Sequence, residues 1–283
     1  MRALAEFVMR GRTQAVVVAV LASGIPMFFW LGAAVVGLVT LRRGVRDGAF
    51  VMLWALLPAA AVAYFGEIMP AAALLGTLAL AWVLRATVSW AWALSAAGGL
   101  GLLLSGGLYT VGRPYLEIVE KLFAEVFEGI EKRGGQEAAV LAPPNAAEIA
   151  GMFGLVHALT LVLCLIIARW WQAALYNPGG FRTEFHALRL GQWQVLAMIG
   201  LALALGAMGP EFRLWAWVPL VPLAFAGLGL VHAIAAGRGR GGLLGLFYAA
   251  LLILPPVKQL LVVLAAMDGW LDFRRRWLKP PSQ

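Results

Sequence analysis

A chain of 283 residues that is 62% hydrophobic and only 13% charged excludes an ordinary soluble domain, in which about 25% of residues carry charge. The net charge of +8 is no nucleic-acid footprint, because most basic residues sit at the ends of apolar segments, where they set orientation and meet anionic headgroups. The single cysteine, Cys164, lies inside an apolar run, which excludes a disulfide framework and a cysteine-based metal site.

Met1–Arg12 followed by Val16–Leu21 has the outline of a signal peptide, but the apolar run continues through Ser23–Pro26 to Leu41 and reads as a retained membrane segment. Gln14–Leu41 is 28 residues, broken at Ser23-Gly24-Ile25-Pro26 and basic on both flanks. A hairpin of two short helices turning at Gly24–Pro26 keeps both flanks on one side. A single crossing would separate Arg42, Arg43 and Arg46 from the N-terminus, and a shallow re-entrant pair is a further alternative.

Ala49–Tyr64, Met69–Leu84 and Ala86–Leu108 follow, each near the ~20 residues that cross a bilayer core. Phe65-Gly66-Glu67-Ile68 joins the first two and Arg85 the last two. Gly98, Gly99, Gly101, Gly106 and Gly107 are small enough to let helices approach closely.

The longest polar stretch, Arg113–Glu148, holds four basic residues against seven glutamates. Leu116, Val119, Leu122, Phe123, Val126, Phe127 and Ile130 repeat with the spacing of an amphipathic helix. Glu117–Lys121 and Glu128–Lys132 are i,i+4 pairs. Gly134-Gly135 ends the helix, and Pro143-Pro144 breaks the chain before the next span. The helix is expected to lie on the outer membrane face or cap the bundle; a lid over an external site is the alternative.

Ile149–Ile167, Trp193–Met208 and Leu214–Ala235 complete six crossings. Leu243–Trp270 is another 28 residues, interrupted at Pro255-Pro256 and Lys258, and reads like the N-terminal pair. Counting each half of the broken pairs gives ten hydrophobic segments. Arginines collect in alternate connectors: Arg42, Arg43 and Arg46, then Arg85, then Arg169, Arg182 and Arg189, then Arg238 and Arg240. The positive-inside rule puts these connectors and both termini in the cytoplasm, and the glutamate-rich stretch outside. The expected architecture is one all-α integral membrane domain over 1–283. It has an external amphipathic helix and loop over 113–148, a cytoplasmic loop over 170–192, and broken helical pairs at both ends.

Few ionisable groups lie within the spans, where burial makes them functional candidates. His157, mid-span, is either a ligand or proton site or a packing histidine bonded to a neighbour. His232 reads as interfacial. Lys258 either snorkels or pairs with Asp268. Glu67 sits in a solvated turn. The twelve tryptophans fall mostly near segment ends, as an interfacial belt requires; Trp90 with Trp92, and Trp215 with Trp217, are alternatively the walls of an aromatic cavity. The candidate ligand residues are therefore His157, Trp90, Trp92 and Glu67. No His/Asp/Glu set has metal-ligand spacing. Gly237–Gly242 lacks the strand–helix context of a phosphate loop, and no Ser/His/Asp set gathers at a pocket. No catalytic residue, cofactor or metal is expected, and an enzyme is not the favoured reading.

The most distinctive stretch runs from Trp170-Trp171 through Asn177-Pro178-Gly179-Gly180-Phe181-Arg182-Thr183-Glu184-Phe185. Asn-Pro-Gly-Gly is strong turn chemistry and would hold Arg182, Glu184 and His186 beneath the membrane. An ordered interfacial turn is the plainest reading; a partner-docking surface and a ligand site are the others. As exposed charges, Arg182 and Glu184 would contribute under ~1 kcal/mol to stability. With the C-terminal Met267-Asp268-Gly269-Trp270-Leu271-Asp272-Phe273-Arg274-Arg275-Arg276, this stretch resembles the YybS-like predicted membrane proteins of bacteria, over most of the chain. That family is grouped with the substrate-binding S components of energy-coupling-factor vitamin transporters. The resemblance implies a helical bundle in the bacterial inner membrane that captures a small-molecule solute from outside and docks onto a cytoplasmic coupling subunit. Ala15-Val-Val-Val-Ala19 has the form of the Ala-x-x-x-Ala contact of S components, a form common in so alanine-rich a chain. S components typically have six spans, which the paired segments here exceed, and the family implies no substrate residues.

Two functions follow. One is a transport-type binding protein. The other is a membrane scaffold or assembly factor that docks a membrane or cytoplasmic protein partner through Asn177, Gly179, Gly180, Phe181, Arg182, Glu184 and Phe185, with Asp268, Asp272 and Arg274 of the tail. The lipid bilayer is the expected partner in both, and nucleic acid in neither.

Overall fold

The computed structural model describes residues 1–134, 142–239 and 241–274, which are helical throughout with no strand among them. Gly135, Arg240, Arg275 and Arg276 of the sequence argument lie outside the described residues. The helices are α1 Arg2–Arg10, α2 Arg12–Ser23, α3 Phe29–Arg43, α4 Val45–Tyr64, α5 Met69–Thr87, α6 Trp90–Thr110, α7 Arg113–Gly134, α8 Ala146–Tyr176, α9 Gly180–Ala187, α10 Gln192–Gly206, α11 Arg213–Trp217, α12 Val221–Gly237, α13 Leu243–Ile253 and α14 Pro255–Leu271.

Five segments are long and apolar enough to cross a bilayer: α4, α5, α6, α8 and Pro210–Gly237, the last combining α11 and α12 with two 3-10 turns. The expected sixth, Trp193–Met208, becomes the 15-residue α10, which joins α9 at a bend of 66°. The chain is a multi-pass helical bundle.

The N-terminal pair is a hairpin. α2 and α3 pack together on either side of Gly24–Phe28. The base of the hairpin is closed by Arg43, whose Nη2 donates to Met9 O (2.7 Å). α3 is packed deep in the protein, with every residue from Gly32 to Leu41 buried. Small residues make that possible, because Gly37 lies against Ala168 and Thr77 while Gly32 lies against Ala19 and Ser23. α3 is the central strut, touched by α1, α2, α4, α5 and α8.

The C-terminal pair differs. α13 and α14 meet at 114°, because Pro255 and Pro256 cannot continue α13 but are well placed to start α14. α14 packs on α12 and α10, while α13 buries none of its side chains. Lys258 is exposed and does not pair with Asp268: the two are ten residues apart on one helix, about 15 Å along its axis, and Asp268 is held by Arg274.

The ends of the bundle are chemically distinct. One face holds Arg43, Arg85, Arg169, Arg189 and Arg274, together with α1 and the end of α14. The opposite face holds α7, Glu67 and Glu148. The first turns of α7 cap the bundle there: Leu116 is fully buried, and Tyr115, Val119 and Phe123 pack around it. Beyond them Ile118, Leu122, Val126 and Ile130 are exposed. Lys132 pairs with Glu128 as expected (2.6 Å), but Glu117 pairs with Arg113 (3.7 Å) rather than Lys121.

The glycines of α6 divide by position. A Cβ at Gly101 would sit 2.7 Å from the Gly154 carbonyl oxygen of α8, and one at Gly154 would run into Gly101 O and Ser105 Oγ. Gly99, Gly106 and Gly107 face open space. Gly154→Ala is therefore expected to lower stability in detergent by about 1–3 kcal/mol through overpacking against backbone, whereas Gly99→Ala leaves it unchanged or raises it. Thermal melts of the two variants check this; equal melting temperatures would show that the α6–α8 approach is not tight.

Candidate functional site

The connector after α8 folds as its turn chemistry requires. Gly179 takes a left-handed conformation (φ +86°) at low steric cost, Gly180 N donates to Asn177 O (3.0 Å), and α9 starts at Gly180. A side chain at Gly180 would meet Asn177. This turn lays α9 back along the basic face.

α9 is pinned there. Both Glu184 carboxylate oxygens accept from Arg169 of α8, with Arg169 Nε to Oε2 at 3.0 Å. Trp90 Nε1 donates to the same Oε2 (3.1 Å). Glu184 is one-third exposed and Arg169 less so, so this is no free surface charge. Phe181 meets Trp90 edge-on and stacks on Phe185 with ring centroids 5.8 Å apart. The carboxylate and two aromatics expected to face a partner are partly buried by contacts within the fold, whereas Asn177, Gly179 and Arg182 stay exposed.

The C-terminal stretch locks the other end of α9. Arg274 Nε donates to His186 O (2.8 Å) and Nη2 to Leu188 O (2.6 Å), while Nη1 pairs with the buried Asp268. Asp268 also accepts from Phe273 N (2.9 Å). Arg189 pairs with Asp272 (3.1 Å) and donates to Gly269 O (2.8 Å). The Asn-Pro-Gly-Gly stretch and the C-terminal stretch, about 90 residues apart, thus meet in one assembly.

Beside that assembly lies a groove of about 790 Å³. α8 supplies Leu163, Ile166 and Trp170 to its wall, α9 supplies Phe181 and Phe185, and α12 supplies Phe225 and Leu228. Its polar groups are Arg182 and His186 of α9, His232 of α12, Tyr248 of α13 and Arg2 of α1. His232 Nε2 and Tyr248 OH are hydrogen-bonded at 2.8 Å, which ties α13 to the groove. Burial pushes the His186 pKa below the usual histidine range, with further lowering from the charges of Arg182, His232 and Arg274. A second cleft, of about 380 Å³, opens between α6 and α10 beside Trp92, Trp193 and Gln194 and is almost wholly apolar.

The structure does not bring the four candidate ligand residues together. Trp90 is buried beneath α9, and Trp92 faces the lateral cleft. Glu67 Oε1 accepts from Met69 N (3.3 Å) at the start of α5, on the opposite face. His157 is buried in α8 and packs without the expected bond: its Nδ1 has no hydrogen-bond partner among the described residues. Trp171 and Trp215 are core rather than belt, Trp215 Nε1 donating to Ala147 O (2.7 Å). The sequence reading missed Arg2, Arg169 and Tyr248. Nothing local marks them, because each matters only through a neighbour distant in the chain. Among the described residues no three His, Cys, Asp or Glu side chains gather as a metal site. The chain matches no family model, no curated protein and no solved structure.

Glu184→Ala strands the Arg169 guanidinium and the Trp90 N–H, each partly buried. It is expected to lower stability by about 1–3 kcal/mol, whereas Arg182→Ala, which removes no hydrogen bond, leaves the melting temperature unchanged. Melting of the two single variants separates a pinned helix from a free loop; equal melting would mean that α9 is not held by Glu184.

Proposed function

We propose that this is a non-enzymatic binding protein of the bacterial inner membrane, with its basic face in the cytoplasm, that holds one small amphiphilic molecule in the groove beside α9. The observation behind the proposal is the groove itself. Ligand sites are concave, mostly apolar, some 300–1,000 Å³ in volume, and carry a few convergent polar groups; this groove is about 790 Å³ and has that lining. The resemblance to YybS-like proteins, and through them to transporter S components, supports the same class of function. The uptake version of that reading needs a site reached from outside, whereas this groove opens on the arginine-rich face. Docking of a partner through the α9 loop has less support, since Phe181, Glu184 and Phe185 are used within the fold.

Native mass spectrometry after mild-detergent purification tests the binding reading. The wild-type protein is expected to carry a non-protein adduct, and Ala174→Trp, which fills the groove from α8, is expected to lose it while melting normally. No adduct, or an adduct retained by the variant, defeats the proposal. Orientation has its own check. Cysteines placed at Glu125 in α7 and Thr183 in α9 are expected to react with a membrane-impermeant reagent from outside and from the cytoplasm, respectively. Labelling with the sides reversed would overturn the assignment of the faces.

A further inference from the structure

The groove changes character along its length. Leu163, about half exposed, lies in the span portion of α8, while Ala174, which also lines the groove, is close to the end of that helix. The eleven steps from one to the other cover about 16 Å along the helix axis, the scale of much of an acyl chain within one leaflet. Leu163, Ile166 and Leu228 supply an apolar wall at membrane depth, and Arg2 and Arg182 stand at the basic end.

The charge of Arg182 at that end is not neutralised by any carboxylate among the described residues. Arg182 forms no ion pair among the described residues. The carboxylates nearby are engaged elsewhere: Glu184 with Arg169, Asp268 with Arg274, and Asp272 with Arg189. Only Glu6 approaches, holding Arg2 at 2.9 Å on the exposed surface of α1. An apolar trough that ends in the unpaired Arg182, with the Glu6-paired Arg2 beside it, complements a hydrocarbon chain ending in an anion.

We infer that the groove is a site for a single anionic phospholipid, its phosphate at Arg182 and Arg2 and an acyl chain along α8 and α12. This rests on the groove being a binding site at all. His186 and Tyr248 add hydrogen-bonding groups to the headgroup end, and His232 orients Tyr248.

The test is a lipid titration of the full chain in detergent, read by native mass spectrometry. Phosphatidylglycerol and phosphatidylcholine of identical chains are compared, and glycerol phosphate serves as the chain-free competitor. One phosphatidylglycerol is expected to be retained in preference to phosphatidylcholine, and millimolar glycerol phosphate should not displace it. Arg2→Ala with Arg182→Ala should reduce that preference about tenfold, and Arg46→Ala, an exposed arginine away from the groove, should not change it. If the double variant fails to fold, Arg182→Glu at one exposed position gives the same reading. Equal retention of the two lipids, an undiminished preference in the double variant or Arg182→Glu, or displacement by glycerol phosphate each overturn the inference. A neutral adduct that Ala174→Trp still removes would overturn the anionic site while leaving the groove as a binding site. Loss of every adduct from the wild type would remove both.

Discussion

A helix buried on every side must end somewhere, and its last carbonyls have no partner within the helix. α3 meets that constraint in a bundle where the alternative to a hydrogen bond is hydrocarbon. Leu41 O, in its last turn, accepts from Arg85 Nη1 (2.6 Å) of α5 and Gln172 Nε2 (3.2 Å) of α8. Gln172 in turn accepts from Arg169 Nη1 (3.1 Å), and Arg169 holds Glu184. The need to finish one apolar helix therefore extends as a chain of charge-assisted bonds through α5 and α8 to α9. Arg85 also sits in the last turn of its own helix, where the helix dipole favours it.

This gives the arginines of the basic face two roles that sequence alone presents as one. As charges at segment ends they bias orientation. As planar forks they are the cross-links between elements: Arg43 ties α3 to α1, Arg85 ties α5 to α3, and Arg274 ties the tail to α9 and to the linker after it. Lysine would serve the first role nearly as well but not the second, since Arg274 uses three of its nitrogens at once.

Much of the fold was legible because its signals are local. Apolar length marked the spans, Gly24–Pro26 and Pro255-Pro256 marked the breaks, and Asn-Pro-Gly-Gly marked the turn into α9. What was not legible has a common cause. In a membrane, a lipid-facing residue and a core residue are equally apolar, so nothing in Leu31–Leu41 distinguishes the central strut from a peripheral helix. The same holds for Trp171, whose position beside Trp170 suggests an interface anchor although it is fully buried. The site was half legible. The α9 residues stand out in the sequence as a unit, but their direction depends on Arg169 and Trp90, which lie 15 and 94 positions from Glu184.

That direction is what makes the groove. Residues two apart on a helix lie about 200° apart around its axis, so the bond that turns Glu184 toward Arg169 turns Arg182 the other way. Phe181 and Phe185, four apart, share a face and stack to form one wall. A single ion pair on the inner side of α9 thus fixes the outward cation and the aromatic surface together. The helix is held at its start by the Gly179 turn and at its end by Arg274, so its main chain is ordered before anything binds. The position of α9 is therefore set by contacts within the fold, at the Gly179 turn, at Glu184 and at Arg274.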